Sequence, residues 1–262
     1  MSFSVMSVDK HPSHRPVVAF GGRGAAGTPR LICLPYAGGS AMGFRSFREL
    51  FPKWLDVCLL ELPGRGTRIH EALETDMGRL VQSIATELVS LCTESPFVLY
   101  GHSMGALIAY RLAKELRISH GLEVGMLLVS GAKAPHFPRG KELIHEMSDE
   151  QLIARLHKMD GAGTDLYRDR ELGGLMLEVL RSDFRMLETS SLCSVDPLSC
   201  PVHAFGGDQD PFVDHEGVEG WRLHTESRFK ATFYPGGHFF IREYAREMVS
   251  DIMKDLNKLF AC

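Results

Sequence analysis

The six cysteines of this chain (Cys33, Cys58, Cys92, Cys193, Cys200 and Cys262) include no CxxC pair, so neither a dithiol redox motif nor a zinc knuckle is offered. Several lie in apolar runs, where cysteine behaves as a small hydrophobe, and they are read as reduced thiols. Cys262 is the last residue and lacks the three residues that a prenylation box places after its cysteine. Long hydrophobic runs are also missing: no stretch approaches the ~18 apolar residues of a membrane helix, and the first residues have no signal-peptide core. A cytosolic protein with no membrane partner is expected. Positive charge is not in excess, with 29 Lys plus Arg against 33 Asp plus Glu, which argues against nucleic acid as a partner. There is no G-x-x-x-x-G-K-[ST] phosphate loop, and His70-Glu71 and His145-Glu146 lack the second histidine of an HExxH helix. Neither a cofactor nor a metal is expected.

What is present is ordinary globular material. The 262 residues are 44% hydrophobic and 24% charged, enough for one domain carrying an insertion. Residues 1–29 are rich in Pro, Gly, Ser and His and read as a tail and turn, the first fifteen mobile. Apolar strands then alternate with helical periodicity. The strands are expected at Leu31–Tyr36, Val57–Leu62, Phe97–Gly101, Val124–Ser130, Cys200–Phe205 and Arg228–Tyr234. Strands apolar on both faces imply a mostly parallel sheet covered by helices, here Leu80, Ile84, Leu88 and Leu91, and a last helix carrying Ile241, Tyr244, Met248, Ile252, Leu256 and Leu259. Between residues 135 and 197 strands vanish and amphipathic helices appear, one opened by the capping box Ser148-x-x-Gln151. This is the expected helical lid, with 30–134 and 198–262 as the core. Its apolar set (Met147, Leu152, Leu156, Met159, Leu175, Met176, Leu180, Phe184) suits either a packed subdomain or the lining of an acyl-chain site.

Gly101-His102-Ser103-Met104-Gly105 follows an apolar strand and precedes a helix, the context in which G-x-S-x-G forms a nucleophile elbow. The turn is too sharp for side chains flanking the serine, and the hydroxyl is presented at a helix N-terminus. A serine needs a base, and in this fold the order is Ser, acid, His. Phe205-Gly206-Gly207-Asp208-Gln209-Asp210-Pro211 supplies the acid: Asp210 is preferred, with Asp208 bracing the turn. Pro235-Gly236-Gly237-His238 supplies the base, His238. His102 is assigned a structural role, and His203 and His215 are weaker candidates. Leu34-Pro35-Tyr36-Ala37-Gly38-Gly39-Ser40 ends the first strong strand, so the Ala37 and Met104 N–H groups are the expected oxyanion donors. Gly22-Arg23-Gly24-Ala25-Ala26-Gly27 fits G-x-G-x-x-G, with Glu49 near the acidic offset, but Thr28-Pro29 and a strand follow instead of a helix. It is read as a hairpin turn.

Taken together, LPYAGGSA, LPGRGTR, GHSMGALIAY, VSGAKAP, RSDFRMLET, FGGDQDP and PGGHFF closely resemble the stand-alone type II thioesterases of polyketide and non-ribosomal peptide assembly lines, over about residues 31–260. Animal medium-chain acyl thioesterases share these motifs. The resemblance implies an α/β-hydrolase fold, no cofactor, and hydrolysis of acyl thioesters from the phosphopantetheine arm of an acyl or peptidyl carrier protein. It puts the family's catalytic residues on Ser103, Asp210 and His238 and its oxyanion amides on Ala37 and Met104. Carrier proteins are usually acidic, so Arg65, Arg68, Lys133 and Arg139 are candidate contacts near the entrance. A medium-chain fatty acyl carrier thioesterase, a carboxylesterase, a transferase or cyclase, and a hydrolase-like binding protein without turnover are the competing readings.

Overall fold

The computed structural model describes residues 17–138, 140, 142–160, 169, 172–191 and 195–260. Arg139, Cys193, Cys262 and the first sixteen residues lie outside the described residues. Among the described residues seven strands form one sheet: β1 (Val18–Phe20), β2 (Arg30–Leu34), β3 (Asp56–Leu60), β4 (Phe97–His102), β5 (Leu127–Ser130), β6 (Val202–Gly207) and β7 (Phe229–Tyr234). Their order is β1-β3-β2-β4-β5-β6-β7, with β1 antiparallel to β3 and every other pair parallel. The helices are α1 (Arg45–Arg48), α2 (Met77–Thr93), α3 (Met104–His120), α4 (Asp149–Asp160), α5 (Leu172–Thr189), α6 (His215–Glu219), α7 (Phe240–Glu243) and α8 (Ala245–Phe260). This is the α/β-hydrolase architecture.

The strand sequences are apolar on both faces because both faces are covered. On β2, Ile32 and Leu34 pack into the cluster that contains Leu80, Ile84 and Leu88 of α2 and Ile108 and Leu112 of α3. Leu31 and Cys33 point the other way, to Phe44 and Phe47 and to the cluster with Met248, Ile252 and Leu256 of α8. Truncating any one of these fully buried leucines to alanine is worth about 2–5 kcal/mol of destabilisation. Cys33, Cys58, Cys92 and Cys200 are unpaired thiols, all buried.

The strand limits shift where backbone chemistry requires it. β2 stops at Leu34 because Pro35 has no N–H for the ladder, and β6 starts after Pro201 for the same reason. The final helical stretch breaks at Tyr244 into α7 and α8, where the Tyr244 ring stacks on Tyr234. The glycine-rich segment 21–27 is not a hairpin. β1 lies against β3 rather than β2, so this segment crosses the edge of the sheet, held by the Asp56 carboxylate, which accepts from the Gly22 and Gly24 amides at 3.1 and 2.9 Å.

After β2 the chain runs to β3 on one side, and β4 then returns to the other side of β2. The sequence therefore creates a crevice at the carboxyl ends of β2 and β4, where open α/β sheets bind their ligands. Between β5 and β6 the described residues form turns and the helices α4 and α5, the single bridge Leu198–Thr225 apart. Ser148 and Gln151 cap α4 reciprocally, each backbone amide donating to the other's side-chain oxygen at 3.0 and 3.3 Å. Leu152, Leu156, Leu177, Leu180 and Phe184 close α4 onto α5, forming a small core of their own above the crevice.

Candidate active site

Ser103 sits between β4 and α3 with φ 55° and ψ −118°, and among the described residues it is the one non-glycine with positive φ. Both glycines of the motif are needed for space. A Cβ on Gly101 would stand 2.1 Å from the Gly105 carbonyl oxygen, and one on Gly105 would stand 2.3 Å from the Leu34 carbonyl oxygen. Such conformations cost about 1–3 kcal/mol and persist where surrounding structure imposes them. Here the Ser103 amide is pinned to the Ser130 carbonyl at 2.7 Å.

The loops after β6 and β7 bring two further side chains to this point. His238 Nε2 lies 3.0 Å from Ser103 Oγ, and His238 Nδ1 lies 2.7 Å from Asp210 Oδ2. The imidazole and the carboxylate are almost wholly screened from solvent. Asp210 Oδ1 accepts the Phe212 and Val213 amides at 2.9 and 3.2 Å, which fixes the carboxylate and leaves Oδ2 for the histidine. A carboxylate facing Nδ1 selects the tautomer protonated there, so Nε2 is left as the acceptor for the serine hydroxyl. This chain of groups can withdraw the serine proton as the oxygen attacks a carbonyl.

Asp208 takes a different place from the one expected. Its carboxylate reaches His215 Nε2 at 2.9 Å on the surface, while the amides of the turn are taken by Asp210. His203 lies away from the serine, bonded to Asp255 and Thr232. His102 is fully buried with Nδ1 3.0 Å from Ser130 Oγ, and burial, followed by the nearby His238, holds its pKa well below that of an ordinary histidine.

Two cavities meet at Ser103 and His238. One, of about 220 Å³, is walled by Ala37 of the β2 loop and by Leu156, Met159, Met176, Leu180 and Phe184 of α4 and α5. The other, of about 530 Å³, runs past Met104 and Leu107 toward Pro135, Phe137, Arg155 and Phe212. Ala37 and Met104 thus flank the serine from the two sides of the crevice.

A thioesterase domain model matches residues 29–258 of this sequence. The chain belongs to that family. Its relatives include the gramicidin S biosynthesis protein GrsT of Aneurinibacillus migulanus, 38% identical over 88% of this chain and 90% of that one. Thioesterase PikA5 of Streptomyces venezuelae is 34% identical over 87% and 80% of the two chains. The solved type II thioesterase BorB from the borrelidin biosynthetic cluster superposes with a TM-score of 0.82 at 34% identity, covering 92% of this chain and 98% of that one. A thioesterase is a hydrolase of thioester bonds, and the crevice carries the groups such chemistry uses. Among the described residues no group of three His, Cys, Asp or Glu is placed to hold a metal, and no helix is long and apolar enough to cross a membrane.

Two of the basic residues expected at the entrance of this thioesterase are committed elsewhere. Arg68 is buried, with its guanidinium on Glu71 and on the Glu61 carbonyl. Arg65 is buried as well, on Asp183 of α5. Lys133 pairs with Asp214 at 2.8 Å on the surface, and Arg139 lies outside the described residues. Sequence reasoning missed the Arg65–Asp183 pair although both residues stand in motifs it singled out, LPGRGTR and RSDFRMLET. Periodicity gives no signal for which polar residues meet across 118 positions.

Proposed function

We propose that this chain is a stand-alone thioesterase that removes acyl groups from the phosphopantetheine arm of a carrier protein, through a serine acyl-enzyme, in editing a polyketide or non-ribosomal peptide synthase. Ser103 is the nucleophile, His238 the general base and Asp210 the residue that orients and stabilises the imidazolium. The observation that carries the reading is the unbroken run from Asp210 Oδ2 through His238 to Ser103 Oγ, at 2.7 and 3.0 Å.

As Ser103 Oγ bonds to the thioester carbonyl carbon, its proton passes to His238 Nε2. The negative charge on the carbonyl oxygen is received by the Ala37 and Met104 amides, the latter also at the start of α3, where the helix dipole favours an anion. Collapse breaks the C–S bond and His238 returns its proton to the departing sulfur, releasing the pantetheine thiol, whose pKa of ~8.5 makes it a far easier leaving group than an amine. Water then repeats the cycle on the ester. A thioester has two arms, and the two cavities meeting at Ser103 suit them: the cavity under α4 and α5 for the acyl chain, the larger one for pantetheine. Helices α4 and α5, within residues 135–197, act as the lid over this junction.

The test compares acyl-carrier, acyl-pantetheine and simple ester substrates with the native protein and Ser103→Ala. Turnover of carrier-bound thioester that disappears in Ser103→Ala, with carrier binding retained, is the expected result. Unchanged hydrolysis by that variant, or strong preference for the simple ester, would overturn the reading.

A further inference from the structure

The loop after β2 is held from above by a residue that the chemistry just described does not use. Asp183 is completely buried on α5. Its Oδ2 accepts the Gly38 amide at 2.8 Å and an Arg65 Nη1 proton at 2.6 Å, while Oδ1 accepts from Arg65 Nη2 at 2.8 Å. The same Arg65 Nη1 lies 3.5 Å from the Gly39 carbonyl. A carboxylate from the lid and a guanidinium from the core therefore grip the residues that immediately follow Ala37.

We propose that Asp183 is a positioning residue for the oxyanion loop, tying the Ala37 donor to lid helix α5; this rests on the assignment of Ala37 made above. Residues Tyr36–Gly39 form a turn closed by the Gly39 amide on the Tyr36 carbonyl at 2.8 Å, with Gly38 at φ 73°. That glycine conformation belongs to a type II turn, which differs from type I by a flip of the central peptide. Here the central peptide joins Ala37 to Gly38, and its N–H is the one Asp183 holds. The flip is thereby fixed, and with it the backbone on the C-terminal side of the proposed donor.

Packing supports the same reading. A Cβ on Gly38 would lie 2.6 Å from Leu180, one helical turn before Asp183 on α5, so helix and loop are fitted to each other at this point. Attachment of α5 to the core does not depend on Asp183 alone, because Ser182 Oγ donates to the Glu74 carbonyl at 3.2 Å. Beyond the turn, the Ala41 amide is held by Glu61 Oε1 at 3.0 Å. The loop is thus fastened at one point by the core and at the other by the lid.

The experiment uses Asp183→Asn, which keeps the shape and one acceptor, and Asp183→Ala, which keeps neither. Active sites are titrated with a serine-directed phosphonate, so that misfolded molecules are not counted. Turnover of an acyl-pantetheine thioester, the phosphonate rate constant and the affinity for a non-hydrolysable thioether analogue are then measured. Because losing an oxyanion donor outright costs on the order of 10² to 10³ in rate, displacing one is expected to lower kcat by about 10- to 100-fold. The phosphonate rate should fall in parallel, with Kd for the thioether analogue within about threefold of native, as expected for a group acting only in the transition state. Native kcat per titrated site in Asp183→Asn and Asp183→Ala, or a loss carried entirely by the analogue's Kd, would overturn the proposal. A dead Ser103→Ala beside such normal Asp183 variants would sink this inference alone, whereas an active Ser103→Ala would sink the reading beneath it.

Discussion

The amide of Ser103 donates a 2.7 Å hydrogen bond to the carbonyl of Ser130, so the residue with the unfavourable backbone is clamped to the neighbouring strand. The conformation that exposes the hydroxyl is maintained by β5 and not by preference of the residue itself.

Relief of that conformation is measurable. Glycine adopts positive φ without penalty, so Ser103→Gly should unfold at higher denaturant than Ser103→Ala, by about 1 kcal/mol, both variants being inactive. Equal midpoints in urea would show that the site stores no backbone strain.

Asp210 presents one oxygen to His238 and the other to two backbone amides. In Asp210→Asn the amide nitrogen cannot accept, so either the loop or the imidazole tautomer is lost. A fall in kcat of about 10³ to 10⁴ is expected with KM little changed, by analogy with triads in general. Steady-state kinetics on an acyl-pantetheine substrate would check it, and a fall smaller than tenfold would remove Asp210 from the mechanism.

A pH dependence of stability follows from a second buried cluster. His224 is fully buried, its Nδ1 3.0 Å from the Tyr110 hydroxyl and its Nε2 2.9 Å from His136. Burial, then repulsion from His136 and Lys114, brings its pKa down from 6.5 to about 4. The unfolded chain therefore binds this proton near 6.5 while the folded chain refuses it until about 4. Stability is full above the upper value and declines as pH falls through the window, in the same direction as for buried His102. Urea midpoints should drop between about pH 7.5 and pH 5, and the drop should be smaller in His224→Gln.

The cavity under α4 and α5 gives a specificity prediction. Met176 lines it, and a larger ring there removes volume from about 220 Å³. Met176→Trp should lower kcat/KM for long acyl chains by about tenfold or more while leaving acetyl thioesters within about threefold, since the acyl arm alone meets the new side chain. Equal losses for both would place the acyl chain in the other cavity.

The sheet was legible because strands buried on both faces are written as apolar runs between helical periods, and β2 to β7 fall within a few residues of where those runs predict. The convergence of Ser103, Asp210 and His238 was legible because each occupies a loop at the carboxyl end of a strand, in motifs with their own glycines. What could not be read was polar pairing at a distance. Arg65 looks like a surface cation until Asp183 is found beside it, and Asp208 looks like the brace of its turn until His215 is found within reach. The run Gly22–Gly27 looked like a hairpin because sequence order does not reveal that β3 slips between β1 and β2.

Gly105 has one more effect. With no side chain there, α3 rests directly on the Leu34 and Pro35 carbonyls at the mouth of β2. The approach of α3 to the end of β2 is then set by two backbones touching, a gauge that no rotamer change can alter. Even alanine at position 105 would act as a shim, spreading the two halves of the proposed anion receptor while the side chains of Ser103, Asp210 and His238 stayed in place.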